Sequence, residues 1–153
     1  MEDLHRMPGH LIRRLQQISV SVFTERMRAA GHDLTPVQFA ALAALQAHPG
    51  VDQTTLAGLI AYDRATLGGV VDRLEAKGLL AREVSARDRR ARVLRLTPRG
   101  AAALARVRPD VEAVQAEILG GLDPEERETF LRLLQKATDA GNALSRAPLR
   151  PAP

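Results

Sequence analysis

Residues 54–96 read TTLAGLIAYDRATLGGVVDRLEAKGLLAREVSARDRRARVLRL, and the predicted architecture follows mainly from this segment. Its first part predicts a short helix at 54–61 and a longer one at 64–77, separated by only Tyr62 and Asp63. Apolar residues in the longer helix recur at spacings of three and four, which predicts one buried stripe: Leu67, Val70, Val71 and Leu74. A short helix, a tight turn and a second helix form a helix-turn-helix unit.

The rest of the segment predicts a β-hairpin. Residues 80–84 and 91–96 are short β-compatible runs that flank the polar loop 85–90. Seven arginines lie from Arg82 to Arg99 against two carboxylates, whereas the net charge of the whole chain is only +4. The planar guanidinium suits phosphate groups and base edges. This concentration of charge favours nucleic-acid contact over the simpler interpretation, a solvated charged hairpin.

Start and stop signals delimit four further helices. Thr35-Pro36-Val37-Gln38 and Asp123-Pro124-Glu125-Glu126 each combine a capping residue, a Pro at the first helical position and a Gln or Glu three residues after the cap. Together with Thr97-Pro98, these signals predict helices at about 9–30, 36–47, 98–119 and 124–143. Pro109 lies inside the fifth of the six helices, where we expect a kink or a break.

The last two helices carry apolar stripes. These are Leu104, Val107, Val111, Val114 and Ile118 in the fifth helix, and Phe130, Leu133 or Leu134, Ala137 and Leu144 in the sixth. Such helices either cover their own core or pair two chains. Because one helix-turn-helix reads only a few base pairs, the motif favours a homodimer on a pseudo-palindromic operator in double-stranded DNA.

The predicted fold class is therefore mainly α with a small β-hairpin wing. The chain, 1–153, is expected to form one unit with a winged helix-turn-helix at 33–98. Dimerisation helices are expected at 8–32 and 99–145. The Pro-rich tail at 146–153 is expected to be disordered.

The second helix of the unit supplies the first candidate DNA contacts. A recognition helix places its N-terminal half in the major groove, which favours Arg64 and Thr66, and leaves Arg73 for phosphate. Gly68-Gly69 is unusual, because two glycines inside a helix cost about 2 kcal/mol relative to two alanines. Either they serve close packing against a neighbouring helix or are simply tolerated, or they allow the helix backbone to approach DNA closely at Gly69.

The hairpin tip supplies the second set of contacts: Arg87, Asp88, Arg89 and Arg90. An arginine at the tip of a wing can enter the minor groove, where narrow A·T-rich stretches concentrate negative potential. Since a carboxylate is repelled by phosphate, Asp88 is expected to hold a neighbouring arginine through a charge-assisted hydrogen bond. The alternative is an ordinary turn-forming aspartate.

These motifs resemble, in order and spacing, those of the MarR (multiple-antibiotic-resistance regulator) family of winged helix-turn-helix transcription regulators. The resemblance rests on DRAT at 63–66, VDRLEAKGLL at 71–80, DRRA at 88–91 and LTPRG at 96–100, with Arg82 between them. It implies recognition-helix contacts by Thr66 and Arg73, and a wing Asp-x-Arg motif at Asp88 and Arg90. It also implies a dimer built from the first and the last two helices. Members often carry Thr and Arg where this chain has Gly68-Gly69, which gives the wing arginine more weight.

The resemblance also implies a small phenolic or carboxylate effector that releases DNA, and it favours repression. The runs 8–15, 52–53 and 61–66 are similar to regulators of aromatic or nicotinate-type acid degradation. On the first helix, His10 and Arg14 are candidate carboxylate ligands. Ser19 lies within the apolar stripe of this helix, which consists of Leu11, Ile12, Leu15, Ile18, Val22 and Phe23. The simpler interpretation is a surface histidine and a helix-packing serine.

Other function classes find little support. The chain has no Cys, which excludes disulfides, thiolate metal sites and thiol redox switches. The four histidines are scattered, and no catalytic or cofactor-binding motif is present, so we expect no enzyme activity, metal or cofactor. The sequence shows neither a signal peptide nor an apolar segment long enough to span a membrane, so we expect a cytoplasmic protein that does not bind membranes. The alternative is a winged-helix protein-interaction module. Gly68-Gly69 favours that module, and the wing arginines argue against it.

Overall fold

The computed structural model describes residues 2–153 and confirms a mainly helical fold with one β-hairpin. The elements in chain order are α1 (Glu2–Arg6), α2 (Pro8–Ala30), α3 (Pro36–Ala47), α4 (Gln53–Leu59), α5 (Arg64–Ala76), β1 (Leu80–Val84), β2 (Arg92–Leu96), α6 (Pro98–Ile118) and α7 (Pro124–Ala140), followed by a 3-10 turn at Asn142–Leu144. The separate short helix α1 was not predicted.

The start of α3 confirms its sequence signal. The Gln38 backbone N–H donates to Thr35 Oγ1, and the Thr35 backbone N–H donates to Gln38 Oε1, both at 3.2 Å. The same reciprocal pair joins Asp123 and Glu126 at the start of α7. These local bonds satisfy backbone donors that a helix start leaves free, so the boundary is encoded within four residues.

The turn between α4 and α5 is longer than predicted. α4 ends at Leu59 rather than at residue 61, and Ala61 has a φ of +51°. This left-handed conformation is unfavourable for a residue with a side chain, so it ends α4 early. Residues 60–63 make the turn.

The hairpin is antiparallel, with Leu80 opposite Leu96 and Val84 opposite Arg92. Its base packs closely against the start of α6. At Gly100 of α6, an added Cβ would lie 1.9 Å from the carbonyl oxygen of Leu79. Only glycine fits this close approach. The hairpin and the start of α6 are therefore built against each other.

The apolar stripe of α6 lies in the chain's own core. Its members Leu104, Val107, Val111 and Val114 are buried, in one cluster with residues of α2 and of the helix-turn-helix. Of the two interpretations of this stripe, the structure supports the one in which the helix covers the core of its own chain. The helix also continues through Pro109 without the expected break.

Asp110, next to that proline, joins α6 to the end of α2. Arg26 Nε donates to Asp110 Oδ1 at 2.9 Å, and His32 Nε2 lies 2.8 Å from Asp110 Oδ2. The hydrogen bonds from His32 and Arg26 hold the pKa of the Asp110 carboxyl below its usual range.

The stripe of α7 is exposed. Every residue of α7 is exposed except Arg127 and Phe130, which are half-buried. Leu131, Leu133 and Leu134 are 54%, 50% and 39% exposed. On α2, the apolar residues toward the N-terminus are exposed as well, namely Leu11, Ile12, Ile18 and Val20.

The C-terminal tail, expected to be disordered, instead folds back onto α4. The Arg150 backbone N–H donates to the carbonyl oxygen of Gly58 at 2.8 Å. This contact could not be predicted from the composition of the tail, because it depends on Gly58, which is distant in the sequence.

Two further observations concern residues 2–153. None of their helices combines the length and the apolar character that a membrane crossing demands. Their His, Asp and Glu side chains form no group of three placed to hold a metal ion.

Candidate nucleic-acid interface

Helix α5, the predicted recognition helix, has one buried and one exposed face, as predicted. Leu67, Val70, Val71 and Leu74 are each at most 4% exposed. Arg64, Thr66, Gly69 and Arg73 are all exposed. Burial of the apolar stripe fixes the rotation of the helix about its axis, and this rotation turns the candidate contact residues to the surface.

The first turn of α5 is ordered by hydrogen bonds between side chains. Thr66 Oγ1 donates to Asp63 Oδ2 at 2.9 Å, and an Arg64 guanidinium nitrogen lies 3.5 Å from Thr54 Oγ1 on α4. These contacts hold the N-terminal end of α5 against α4. This is the end of the helix that we expect to enter a major groove.

The two glycines of α5 lie where a methyl group would fit. A Cβ at Gly69 would lie 3.6 Å from an Arg73 guanidinium nitrogen, and one at Gly68 would lie 3.4 Å from Gln53 Nε2. Both distances allow ordinary van der Waals contact with flexible side-chain ends. Packing within the chain therefore does not require glycine at either position, and the exposed surface at Gly69 is bare backbone.

Arg82, on β1, joins the hairpin to the recognition helix. Its guanidinium donates to Asp72 Oδ1 at 2.6 Å and to Glu75 Oε1 at 2.8 Å. The carboxylate of Asp72, supported by that of Glu75, raises the pKa of Arg82, while partial burial opposes the shift. Arg82 had no role assigned from the sequence. Carboxylates at 72 and 75, three apart on one helix face, were the available signal.

The tip of the hairpin is built by Asp88. Its Oδ1 accepts from the Arg90 backbone N–H at 2.9 Å, and its carbonyl oxygen accepts from the Ala91 backbone N–H at 3.1 Å. The expected bond to an arginine side chain is replaced by this turn-forming bond, which was the alternative. Arg87, Arg89 and Arg90 are exposed around the turn.

The positive charge of this surface is only partly neutralised. Arg82 is paired as above, and Arg95 Nε lies 3.0 Å from Glu83 Oε2 across the hairpin. Within the described part of the chain, the three tip arginines form no ion pair. The tip is thus a cluster of solvated cations held out on a short hairpin.

The three candidate effector residues lie in different surroundings. Ser19 is half-buried in an apolar groove between α2, α6 and α7, whereas exposed Arg14 lines a shallow depression on α2 with Ile18. His10 is half-buried, with its ring 5.3 Å from that of His5. Its Nδ1 accepts from Arg13 at 3.4 Å, and its Nε2 is buried with no hydrogen-bond partner among the described residues.

Known proteins that are similar to this chain match it over most of its length. The MarR family model matches residues 32–91. The HTH-type transcriptional repressor NicR of Pseudomonas putida is 34% identical over 138 residues, which are 90% of this chain and 86% of NicR.

Solved structures agree. BpsR of Bordetella bronchiseptica, whose DNA binding is regulated by 6-hydroxynicotinic acid, is 35% identical with a TM-score of 0.82, covering 88% of this chain and 94% of that one. The transcriptional repressor CouR, bound to a 23-mer DNA duplex, is 31% identical with a TM-score of 0.81, covering 89% and 95%. The same repressor is also known bound to p-coumaroyl-CoA. With this sequence identity, this coverage and this fold, the chain belongs to the MarR family of winged helix-turn-helix regulators.

Proposed function

We propose that this chain is a homodimeric transcriptional repressor that binds a pseudo-palindromic operator and is released by a small aromatic carboxylate. The observation that carries the proposal is the joint surface of α5 and the hairpin, linked by Arg82. The bare backbone at Gly69 faces the major groove, and Arg89 or Arg90 enters the adjacent minor groove. Arg64, Thr66 and Arg73 contact bases or phosphate from α5.

The dimer is supported by the apolar surface that one chain leaves exposed. Leu131 and Leu134 of α7 line one groove with Ile12 and Leu15 of α2, so the exposed apolar residues of both helices are continuous. Monomeric soluble proteins rarely expose a contiguous patch of this kind. A second copy of this chain, related by a two-fold axis, covers the patch and presents two recognition helices to successive turns of DNA.

The effector is supported by the similarity to BpsR, whose DNA binding is regulated by 6-hydroxynicotinic acid, and by His10. Because an arginine only donates, His10 Nδ1 accepts the bond from Arg13, which leaves Nε2 as the donor of the ring. This buried donor lacks a partner in the described chain and matches a carboxylate oxygen. Arg14 lies one turn away from His10 and supplies the positive charge. Ser19 lies in the groove that the second copy covers, so we assign it to packing.

The first test replaces Arg90 by Ala. Asp88 bonds the backbone of residue 90, so the turn survives while the guanidinium is removed. Binding to duplex DNA from upstream of the protein's own gene, measured by fluorescence anisotropy, is expected to weaken by about tenfold to a hundredfold.

The matched control is Arg106→Ala, which removes one exposed cation from α6. It is expected to bind like the parent. If Arg90→Ala binds as tightly as the control, the wing does not contact DNA. If the parent itself shows no salt-dependent duplex binding, the chain is the protein-interaction module instead.

The second test, Gly69→Ala, separates stability from binding. Since the added methyl group has room, the free energy of unfolding is expected to rise by about 1 kcal/mol. Operator affinity is expected to fall, because the methyl group occupies the space between the helix backbone and DNA. Gly9→Ala is the control: it lies in a helix with nothing within 4 Å, so it stabilises without affecting DNA binding. Unchanged affinity for Gly69→Ala rules out the close approach.

The third test adds 6-hydroxynicotinic acid and related aromatic carboxylates to the protein–DNA complex. Release of DNA is expected for at least one carboxylate and not for its amide. Arg14→Ala is expected to keep DNA affinity and lose the response, whereas Arg28→Ala, an exposed arginine on the same helix paired with Glu25, keeps both. A complex that ignores every acid, or an Arg14→Ala protein that responds normally, contradicts the proposal.

A further inference from the structure

The C-terminal arm, residues 141–153, is held against the helix-turn-helix by a specific set of bonds. The side-chain amide of Asn142 donates to the Leu149 carbonyl oxygen at 2.9 Å and accepts from the Leu149 backbone N–H at 2.8 Å. This pair closes a loop and directs Arg150 to α4, where its N–H donates to the Gly58 carbonyl oxygen at 2.8 Å. Two polar anchors therefore fix the path of the arm.

Gly58 permits this approach of the arm. It is buried, and an added Cβ there would lie 2.9 Å from the Cβ of Arg150. Any larger residue would push the arm away from α4. Pro148 and Pro151, on either side of Arg150, restrict the arm to extended conformations and reduce the entropy cost of docking.

The docked arm brings two arginines to the start of the recognition helix. Arg146, Arg150 and Arg64 line one cavity of about 380 Å³ with Asp63 and Thr54. Arg146 lies 3.9 Å from Asp63, and its side chain is 88% exposed. An ion pair this long and this exposed contributes little to stability. Three cations around a single carboxylate leave an excess of positive charge beside the helix end that faces DNA.

We propose that the arm is a third DNA-contacting element, in which Arg146 and Arg150 bind backbone phosphates beside the N-terminus of α5. The inference rests on the proposed function and deepens it. The solvated guanidinium groups, which outnumber the carboxylate beside them, suit phosphate oxygens, and the positive end of α5 acts in the same direction. The arm thus contributes affinity rather than sequence readout, since phosphate contacts carry no base information.

The test is the double variant Arg146→Ala/Arg150→Ala in the full chain. Operator affinity is measured over a series of salt concentrations, with thermal unfolding measured in parallel. The slope of log affinity against log salt is expected to become shallower by about 0.9 for each phosphate that the arm no longer neutralises, and affinity is expected to fall about tenfold or more at low salt. Unfolding is expected to remain like that of the parent.

Three further variants sharpen the result. Arg146→Lys/Arg150→Lys keeps both charges and is expected to keep most of the slope. Arg106→Ala/Arg108→Ala removes two exposed cations from α6 and is expected to leave the slope unchanged. Gly58→Ala displaces the arm without removing any charge, and it is expected to make the slope shallower.

The outcomes separate the two proposals. If the parent binds DNA and the double alanine variant has the same slope and affinity, the arm does not contact DNA and the proposed function stands. If the double variant unfolds at a lower temperature with an unchanged slope, the two arginines stabilise the fold without contacting DNA, and the inference fails. If the parent shows no salt-dependent binding, the proposed function itself fails.

Discussion

The bridge from Arg82 to Asp72 and Glu75 sets the geometry of the surface that we propose faces DNA. α5 and the hairpin are separate elements, and each has a buried side that fixes it to the core. Their exposed sides are brought into a fixed relation by one guanidinium held between two carboxylates. The hydrogen bond from Asp72, with the support of Glu75, raises the pKa of Arg82, so the guanidinium stays charged between the two carboxylates. A recognition helix and a wing act on one duplex only if their separation matches that of the adjacent grooves.

Much of the fold follows from local chemistry that the sequence displays. The bounds of α3, the buried stripe of α5 and the hairpin were all predicted, because capping residues, periodicity and turn residues act within a few positions. The early end of α4 was missed, since it depends on a left-handed alanine that no propensity predicts. Docking of the C-terminal arm was missed for a different reason: it requires Gly58, more than eighty positions away.

In the candidate site, too, some features could be predicted from the sequence and others could not. Periodicity identified the exposed face of α5, and charge identified the hairpin tip. The role of Arg82 was not identified, and the turn-forming role of Asp88 was only the alternative, because each role depends on which partner the folded backbone brings within reach. Similarly, the stripes of α6 and α7 look alike in sequence. Only the structure distinguishes them, by burying Leu104 and Val107 while leaving Leu131 and Leu133 exposed.

Hydroxyl-radical footprinting of the upstream duplex is the decisive measurement, because it reads backbone protection at single-nucleotide resolution. Two recognition helices and two wings acting together should give two blocks of protection related by a two-fold axis, with centres about one helical turn apart. Each block should carry an outer minor-groove protection that disappears when the hairpin arginines are removed. A single block without two-fold symmetry, or symmetric blocks that lack the minor-groove protection, would contradict this arrangement.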